Sequence, residues 1–223
     1  MKKIAAFILV STLALSLAAC SEKNSSLPEG GKSPGFSANI GDTVRIGGYN
    51  WRILDLQDGK ALILSDKILT GGTYGRGSTT WEESDLRQYL NGSFFEDTFT
   101  SDEKDLIAES RIVNESNQWY GTTGGNATTD KVFLLSIDEA VKYFGDSGQL
   151  ANRSDGGYSS EDNYDSARIA ENKDTGTASW WWLRSPGHYG DLATYVDIDG
   201  GVNLYGNYVG IIGGIRPALW LNL

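Results

Sequence analysis

Two apolar, arginine-containing blocks near the C-terminus constrain this chain more than any other feature of its sequence. The first block is 180–187 (WWWLRSPG) and the second is 214–221 (GIRPALWL). The segment between them, 188–214, contains no Lys, Glu, Gln, Met or Trp, although all five types occur elsewhere in the chain. A fixed frame around a segment of such different composition predicts a binding surface on a rigid scaffold, and it is a poor match to a catalytic motif.

The bulk composition limits the classes of protein to which the chain can belong. Its 223 residues allow a short leader and one domain, and a hydrophobic fraction of 39% is enough for a buried core. The formal net charge is −10. This acidic balance argues against a nucleic-acid partner, because binding to a phosphate backbone requires a positive surface.

The N-terminus has the pattern of a bacterial export signal. Lys2 and Lys3 precede an apolar stretch, 4–17, that is too short for a stable membrane span, and 17–20 (LAAC) follows it. Small residues before a Cys at this position resemble a lipoprotein processing site, which implies that Cys20 is lipidated and becomes the mature N-terminus. The alternative is an ordinary secretory signal in which Cys20 is incidental. We favour the lipoprotein because Cys20 is the only Cys in the chain, which also leaves no Cys for a disulfide, a metal or a nucleophile in the domain.

These features divide the chain into three parts. Residues 1–20 are the predicted lipoprotein signal peptide, and 21–40, rich in Ser, Gly, Pro and Asn, form a predicted flexible tether. Residues 41–223 form a single domain with a candidate binding face at 188–214. The expected location is extracytoplasmic, with a lipid anchor to the bacterial membrane at the cell surface.

The domain begins with a predicted antiparallel meander of strands at 43–46, 49–56 and 61–64. Gly-Gly at 47–48 and Asp-Gly at 58–59 are the turn signals. The two-residue period places Trp51 and Ile53, and by extension Asp55, on one face. We expect Trp51 in the core rather than at a ligand.

Three capping boxes predict short helices. They begin at Thr80, Thr100 and Ser136, and they predict helices to about residue 91, over 101–109 and over 137–144. A short buried strand, 132–135, precedes the third helix.

The remaining segments alternate between loops and strands. Residues 68–80 and 146–177 are predicted loops, and 193–198 and 202–205 flank an Asp-Gly-Gly turn and form a hairpin. Residues 215–221 form a closing strand in which Pro217 must lie at an edge or a bulge, because it cannot donate a backbone hydrogen bond.

The frame resembles a known family. Blocks 180–187 and 213–219, together with 51–55, 80–92 and 130–136, resemble an uncharacterised family of bacterial surface lipoproteins that carry a domain of unknown function. The resemblance covers nearly all of 42–222, with Ile215 where Val is usual.

This family is similar to proteins of the C-type-lectin-like fold, which is shared with formylglycine-generating enzymes. The implied fold class is α+β, with twisted antiparallel sheets, a few short helices and long loops. The family also resembles the variable proteins diversified by retroelements, in which adenine-directed mutagenesis of Asn codons cannot reach Lys, Glu, Gln, Met or Trp. The composition of 188–214 obeys that exclusion, so the segment resembles a variable region.

If the frame holds the fold, the polar and aromatic residues of 188–214 form the site. Tyr gives stiff contact area and Asn gives adaptable hydrogen bonds, as in antibody paratopes. The expected ligand is a protein or a glycan, with no cofactor and no metal. The candidate ligand-binding residues are His188, Tyr189, Asp191, Tyr195, Asp197, Asp199, Asn203, Tyr205, Asn207 and Tyr208.

Several alternatives remain open. Asp197 and Asp199 lie on the same face of the predicted strand, as a carboxylate-dependent hydrolase would require, but we favour a protein that is not an enzyme. His188 lacks a Ser or Cys partner motif, and we expect a surface contact. A non-binding structural or adhesion module of the envelope is the third alternative.

Other charged residues are expected to be structural. Arg184 and Arg216 each suit a buried carboxylate, for which Asp55 or Asp130 would serve. The acidic loop lacks the ligand spacing of an EF-hand and is expected to be solvated rather than to bind Ca²⁺; its carboxylates are Asp155, Glu161, Asp162, Asp165 and Asp174.

Overall fold

The structure is a computed structural model that describes residues 25–26, 38–145, 148–153, 156–160 and 162–223. The predicted signal peptide with Cys20, most of the predicted tether, and the acidic residues Asp155 and Glu161 lie outside the described residues. No helix of the described residues is long and apolar enough to cross a membrane.

The described chain is mainly β-structure with short helices, which places it in the α+β class. In chain order the elements are β1 Ser25–Ser26, β2 Thr43–Ile46, β3 Tyr49–Gln57, β4 Lys60–Ser65, β5 Thr70–Gly72, α1 Asp85–Tyr89, a π-helix Leu90–Phe94, α2 Phe95–Thr98, α3 Ser101–Leu106, β6 Ile107–Ala108, β7 Ser110–Ile112, β8 Thr128–Asp130, α4 Ile137–Phe144, β9 Ser159–Ser160, α5 Asp165–Arg168, β10 Ala170–Glu171, β11 Ala178–Ser179, β12 Trp181–Pro186, β13 Leu192–Val196, β14 Val202–Tyr208, β15 Gly213–Ile215 and β16 Ala218–Asn222.

The first large sheet has the order β1-β2-β3-β4-β16-β6 and contains the predicted meander. Its second turn has φ +50° at Asp58 and +72° at Gly59, values that suit the Asp-Gly pair. A bulge between Ile53 and Asp55 shifts the register. Trp51 and Ile53, before the bulge, are fully buried as predicted. Asp55, after the bulge, leaves that face and is only half-buried.

The second large sheet has the order β5-β15-β12-β13-β14-β9. The predicted hairpin is confirmed: β13 and β14 pair antiparallel with Val196 opposite Val202. β14 is longer than predicted and continues to Tyr208.

The predicted closing strand over 215–221 is wrong as a single strand. Ile215 ends β15 in the second sheet, and Ala218 begins β16 in the first. Pro217 lies between them, where its missing N–H removes no ladder hydrogen bond. The Arg216–Pro217 step therefore joins the two sheets.

The capping boxes predict two of the three helix starts. Thr100 and Ser136 each accept the backbone N–H of a Glu three residues later, and both helices start as predicted. The third helix also ends as predicted, at Phe144. The second ends at Leu106 rather than 109, because Ile107 and Ala108 pair with β16 instead.

The first predicted helix is wrong at its start. Ser84, and not Thr80, caps the helix, because its side chain accepts the Arg87 N–H while residues 81–83 form a turn. Gly92 interrupts the helix as predicted: its backbone is non-helical, with φ −108° and ψ −110°, and helical structure resumes after this kink and ends with α2 at Thr98.

Three smaller predictions also need correction. The predicted loop 68–80 contains β5, and the predicted loop 146–177 contains β9, α5 and β10. The predicted strand 132–135 makes only an isolated bridge, between Phe133 and Ala218.

Candidate functional site

Both arginines of the frame are buried, as a structural role requires, but their partners differ from those predicted. Arg184 donates to Glu139 through both terminal nitrogens, one of them 3.1 Å from Oε1, and to the Leu134 carbonyl at 2.7 Å. Its backbone N–H donates to the Leu135 carbonyl at 2.9 Å. Arg184 therefore joins β12 to the start of α4.

Arg216 pairs with no carboxylate among the described residues. Its guanidinium donates to the carbonyl oxygens of Ser65 at 2.9 Å, and of Arg168 and Asp66 at 3.4 Å. It also lies 5.0 Å from the centre of the Trp181 ring. Burial lowers the pKa of Arg216, and these carbonyls and the ring compensate for burying its charge.

The two carboxylates proposed as partners belong to other networks. Asp130 accepts from Trp81 Nε1 at 2.9 Å and from Arg87 Nε at 2.6 Å. Asp55, turned outward by the bulge, accepts from the Tyr143 hydroxyl at 3.1 Å and from Lys142 at 3.3 Å. The predicted pairings of Arg184 and Arg216 with Asp55 or Asp130 are therefore wrong.

A buried asparagine fixes the start of the 188–214 segment. Asn117 is 1% exposed, and its Nδ2 donates to the carbonyls of Pro186 and Leu204, each at 2.8 Å. Its Oδ1 accepts the Trp119 backbone N–H at 3.0 Å. One side chain thus ties β12, β14 and the 117–122 turn together.

Five rings assemble beside this asparagine, and we call them the aromatic face: Tyr120, Tyr158, His188, Tyr189 and Tyr205. His188 is stacked between Tyr120, at a centroid distance of 4.2 Å, and Tyr189, at 4.1 Å. Tyr205 meets Tyr120, Tyr158 and Tyr189 nearly at right angles, at 5.9, 5.1 and 6.3 Å. Offset stacked and edge-to-face geometries are favourable for aromatic rings.

An arginine extends the stack at the Tyr120 end. The Arg153 guanidinium lies 4.5 Å from the Tyr120 ring centre and 4.9 Å from that of Trp119. It donates to the Tyr120 hydroxyl at 2.9 Å and to the Gly157 carbonyl at 2.8 Å. This end of the aromatic face is therefore occupied by a cation of the chain itself.

Close backbone approach places the rings. The Tyr158 carbonyl accepts the N–H groups of Leu204 at 2.9 Å and Tyr205 at 3.2 Å. The His188 N–H donates to the Tyr205 carbonyl at 2.7 Å. A Cβ at Gly187 would lie 2.5 Å from that same oxygen, so only glycine fits there.

None of the ten predicted site residues is buried, and eight of them fall into two separate groups. His188, Tyr189 and Tyr205 belong to the aromatic face. Burial, followed by the phenols of Tyr189, Tyr158 and Tyr208 and the Asp191 carboxylate, raises the pKa of Tyr205. Backbone hydrogen bonds from Leu192 N–H to the Tyr189 carbonyl, at 3.0 Å, and from Val209 N–H to the Asp191 carbonyl, at 3.1 Å, place Asp191 and Tyr208 next to this face.

The second group surrounds Tyr195. Its ring packs against Trp180 at 5.2 Å, and Trp180 in turn meets Trp182 at 4.8 Å. Burial and then the carboxylates of Asp197 and Asp199 raise the pKa of Tyr195. A bulge between Ala193 and Tyr195 interrupts the pairing of β13 with β14, and no ring contact among the described residues joins Tyr195 to the aromatic face.

Asp197 and Asp199 of the second group, and Asn203 and Asn207 outside both groups, each use one side-chain oxygen to hold local backbone. Asp197 accepts the Ile198 N–H at 2.7 Å, and Asp199 accepts the Gly201 N–H at 3.1 Å. Asn203 accepts the Gly206 N–H at 2.9 Å, and Asn207 accepts the Tyr208 N–H at 3.0 Å. Asp197 and Asp199 lie in the hairpin turn, so the expectation that they share a strand face is wrong.

The described part of the acidic loop is tied by ion pairs. Asp162 and Asp165 each lie 3.0 Å from Arg168, which is 1% exposed, and Asp174 lies 2.6 Å from Lys173. No group of three metal-ligating side chains occurs within the described ranges.

Sequence reasoning missed the half of the face that comes from outside 188–214. Trp119 and Tyr120 lie in a turn-rich segment, and Arg153 and Tyr158 lie in a loop interpreted as solvated. The adjacent Trp-Tyr pair amid Gly, Thr and Asn was the available signal. Nothing in the sequence indicated which turn would pack against β14.

The comparisons with known proteins establish the family. A family model described as Domain of unknown function (DUF6273) matches residues 58–223. The chain belongs to the DUF6273 family. The match begins in the turn before β4 and spans the frame and the aromatic face. No curated protein and no solved structure matches this DUF6273 chain.

Proposed function

We propose that this protein is an extracytoplasmic, lipid-anchored binding protein whose aromatic face takes a protein or glycan ligand. The observation that carries the proposal is the assembly of five rings from three separate segments on a well-bonded frame. Tyr158 and Tyr189 remain 60% and 55% exposed. Exposed tyrosines held by rigid backbone give contact area at low entropic cost.

The proposed scaffold is the C-type-lectin-like arrangement. Two features support it: β16, at the end of the chain, pairs with β4 of the N-terminal meander, and the β13–β14 hairpin lies in a second sheet. The proposed anchor is Cys20, supported by the LAAC pattern. Labelling cells with a fatty-acid analogue tests it: Cys20→Ala should lose the label and leave the membrane fraction, and retained label would contradict the anchor.

Binding is tested on arrays of surface glycans and secreted proteins, with protein extracted from cells that express the full chain. Tyr205→Leu should abolish the signals of the native protein, because Tyr205 contacts four other rings. Tyr195→Leu, a matched change in the other group, should preserve them. Signals that survive Tyr205→Leu in folded protein would contradict the proposed site.

We also propose that 188–214 is a diversified region, supported by its composition. Sequencing its DNA and flanks across many cells of one culture tests this. Adenine-traceable variation confined to the segment, with a template copy nearby, is the expected result. An invariant segment without a template would leave a fixed surface and would contradict diversification.

Two other functions remain as alternatives. A structural or adhesion module of the envelope would tolerate loss of the rings, and a carboxylate-dependent hydrolase would depend on Asp197 and Asp199. We propose that the protein is not an enzyme. Both carboxylates already accept turn N–H groups, which supports a structural use of the pair.

A further inference from the structure

The charges at the aromatic face are divided between its two ends. Arg153 lies at the Tyr120 end. Residues 188–214 contain no Lys or Arg, and of their three Asp only Asp191 lies next to the aromatic face. The end formed by 188–214 therefore presents a negative charge to a ligand. Cations are attracted to such a surface and anions are repelled.

Asp191 is the carboxylate that borders the rings. It lies on the same tight loop as Tyr189, where Leu192 N–H donates to the Tyr189 carbonyl at 3.0 Å. The backbone carbonyl of Asp191 accepts the Val209 N–H at 3.1 Å, which places Asp191 beside Tyr208, a residue that is 62% exposed. Within the described ranges, the Asp191 carboxylate enters no hydrogen bond and no ion pair.

Only one of the two ends of the stack is covered by a cation of the described chain. At the Tyr120 end, Arg153 places a guanidinium over two rings. At the other end, the exposed rings of Tyr158 and Tyr189 each meet Tyr205 edge-on, and no cation of the described chain lies over any of these three rings. The chain thus uses one end of this face for a cation–π contact and leaves the other end with rings and a carboxylate.

The chemistry of the open end favours a weakly hydrated cation. Aromatic rings attract cations through their quadrupole, and this attraction underlies recognition of quaternary ammonium groups. A primary ammonium is strongly hydrated and needs several acceptors to replace its water. Asp191 supplies one carboxylate, whereas methylated ammonium needs mainly ring surface.

Building on the proposed function, we propose that the aromatic face recognises a quaternary ammonium group through Tyr158, Tyr189 and Tyr205, with Asp191 as the counter-charge. The group would be carried by the protein or glycan ligand. Trp119 and Arg153 would stay in place and hold Tyr120 and His188 behind the site.

The test compares choline with its neutral isostere, 3,3-dimethylbutan-1-ol, on protein extracted from cells expressing the full chain in a non-ionic detergent. Binding is measured from saturation transfer to the methyl protons of each probe. Choline should bind saturably, and the isostere should bind at least roughly tenfold more weakly.

Single variants test separately the contribution of the Tyr189 ring and of the Asp191 charge to choline binding, with folding as a control. Tyr189→Leu and Asp191→Asn should each weaken choline binding roughly tenfold. Tyr189→Phe keeps the ring and should bind as the native protein does. Tyr195→Leu and Asp199→Asn are the matched controls in the other group and should change nothing. Thermal melting of each variant shows that it is folded.

Failure of the quaternary ammonium proposal and failure of the proposed function would give different results. Equal binding of choline and the isostere, or no binding of choline, would overturn the quaternary ammonium proposal. The proposed function would still hold if array signals were lost in Tyr205→Leu and kept in Tyr195→Leu. Array signals that ignore Tyr205 would overturn the proposed function itself.

Discussion

The frame and the aromatic face both set guanidinium groups against aromatic rings, but in opposite surroundings. Arg216 is 2% exposed and is bonded by three carbonyl oxygens under the Trp181 ring. Arg153 is exposed and lies over Tyr120 and Trp119, which are only partly buried. We therefore expect the frame contacts to maintain the fold and the rings of the face to contribute little to it, which would leave those rings available for a ligand.

The largest expected effect comes from breaking the frame at Arg184. Arg184→Ala should lower the free energy of unfolding by about 3–5 kcal/mol, because it leaves Glu139 and two carbonyls without their buried partner. Urea denaturation measures the change. Arg76, 90% exposed in its side chain, is the control, and Arg76→Ala should change stability by less than about 0.5 kcal/mol. Similar values for the two variants would refute the distinction.

The next effect concerns the hairpin turn. Gly200 has φ +93°, and a Cβ there would lie 1.8 Å from the Asp165 carbonyl oxygen. Gly200→Ala should therefore destabilise the protein by about 2 kcal/mol or more. Gly210 has open space around it, so Gly210→Ala should be nearly neutral in the same denaturation experiment. A neutral Gly200→Ala would mean that the turn does not pack on α5.

Alkaline pH should weaken the frame through Tyr74. Its hydroxyl donates to the Arg184 carbonyl at 2.8 Å, and burial raises the pKa of Tyr74 above its usual value. A raised folded-state pKa means that stability is complete below the unfolded pKa of about 10 and falls as pH rises further.

The expected slope is up to about 1.4 kcal/mol per pH unit above pH 10. Tyr74→Phe should reduce this slope, although it loses about 1 kcal/mol at neutral pH with the hydrogen bond. Tyr208→Phe, at a 62% exposed site, should leave the slope unchanged. Melting curves from pH 8 to about pH 11 measure this dependence of stability on pH. Identical slopes for Tyr74→Phe and the native protein would contradict the role given to Tyr74.

The smallest effect on stability is expected in the aromatic face. Tyr189→Leu should change the free energy of unfolding by less than about 0.5 kcal/mol, because the ring is 55% exposed. The same variant should bind the ligand more weakly than the native protein does. Destabilisation of more than about 2 kcal/mol would place Tyr189 in the frame instead.

The sequence predicted those parts of the fold whose signals are local. The meander, the hairpin and the α3 and α4 starts follow from turn residues and capping boxes that act within a few positions. The first helix was wrong because Ser84 competed with Thr80 as the cap, and only packing decides between two hydroxyls so close together. The partners of Arg184 and Arg216 depend on which distant segments meet.

Only the part of the candidate site that lies within 188–214 could be predicted from the sequence. His188, Tyr189 and Tyr205 were found because the composition of 188–214 drew attention to them. Tyr120 and Tyr158 reach the face through Asn117 and through the Tyr158 carbonyl. Such long-range backbone contacts have no sequence period.

The binding profile of a Tyr158→Ala, Tyr189→Ala double variant is the decisive measurement for ligand binding at the aromatic face. Glycan and protein arrays would be read for native and variant protein at a temperature at which urea denaturation shows both to be folded. We expect the signals of the native protein to disappear while the free energy of unfolding stays within about 1 kcal/mol. A folded double variant that keeps the whole native profile would contradict ligand binding at this face.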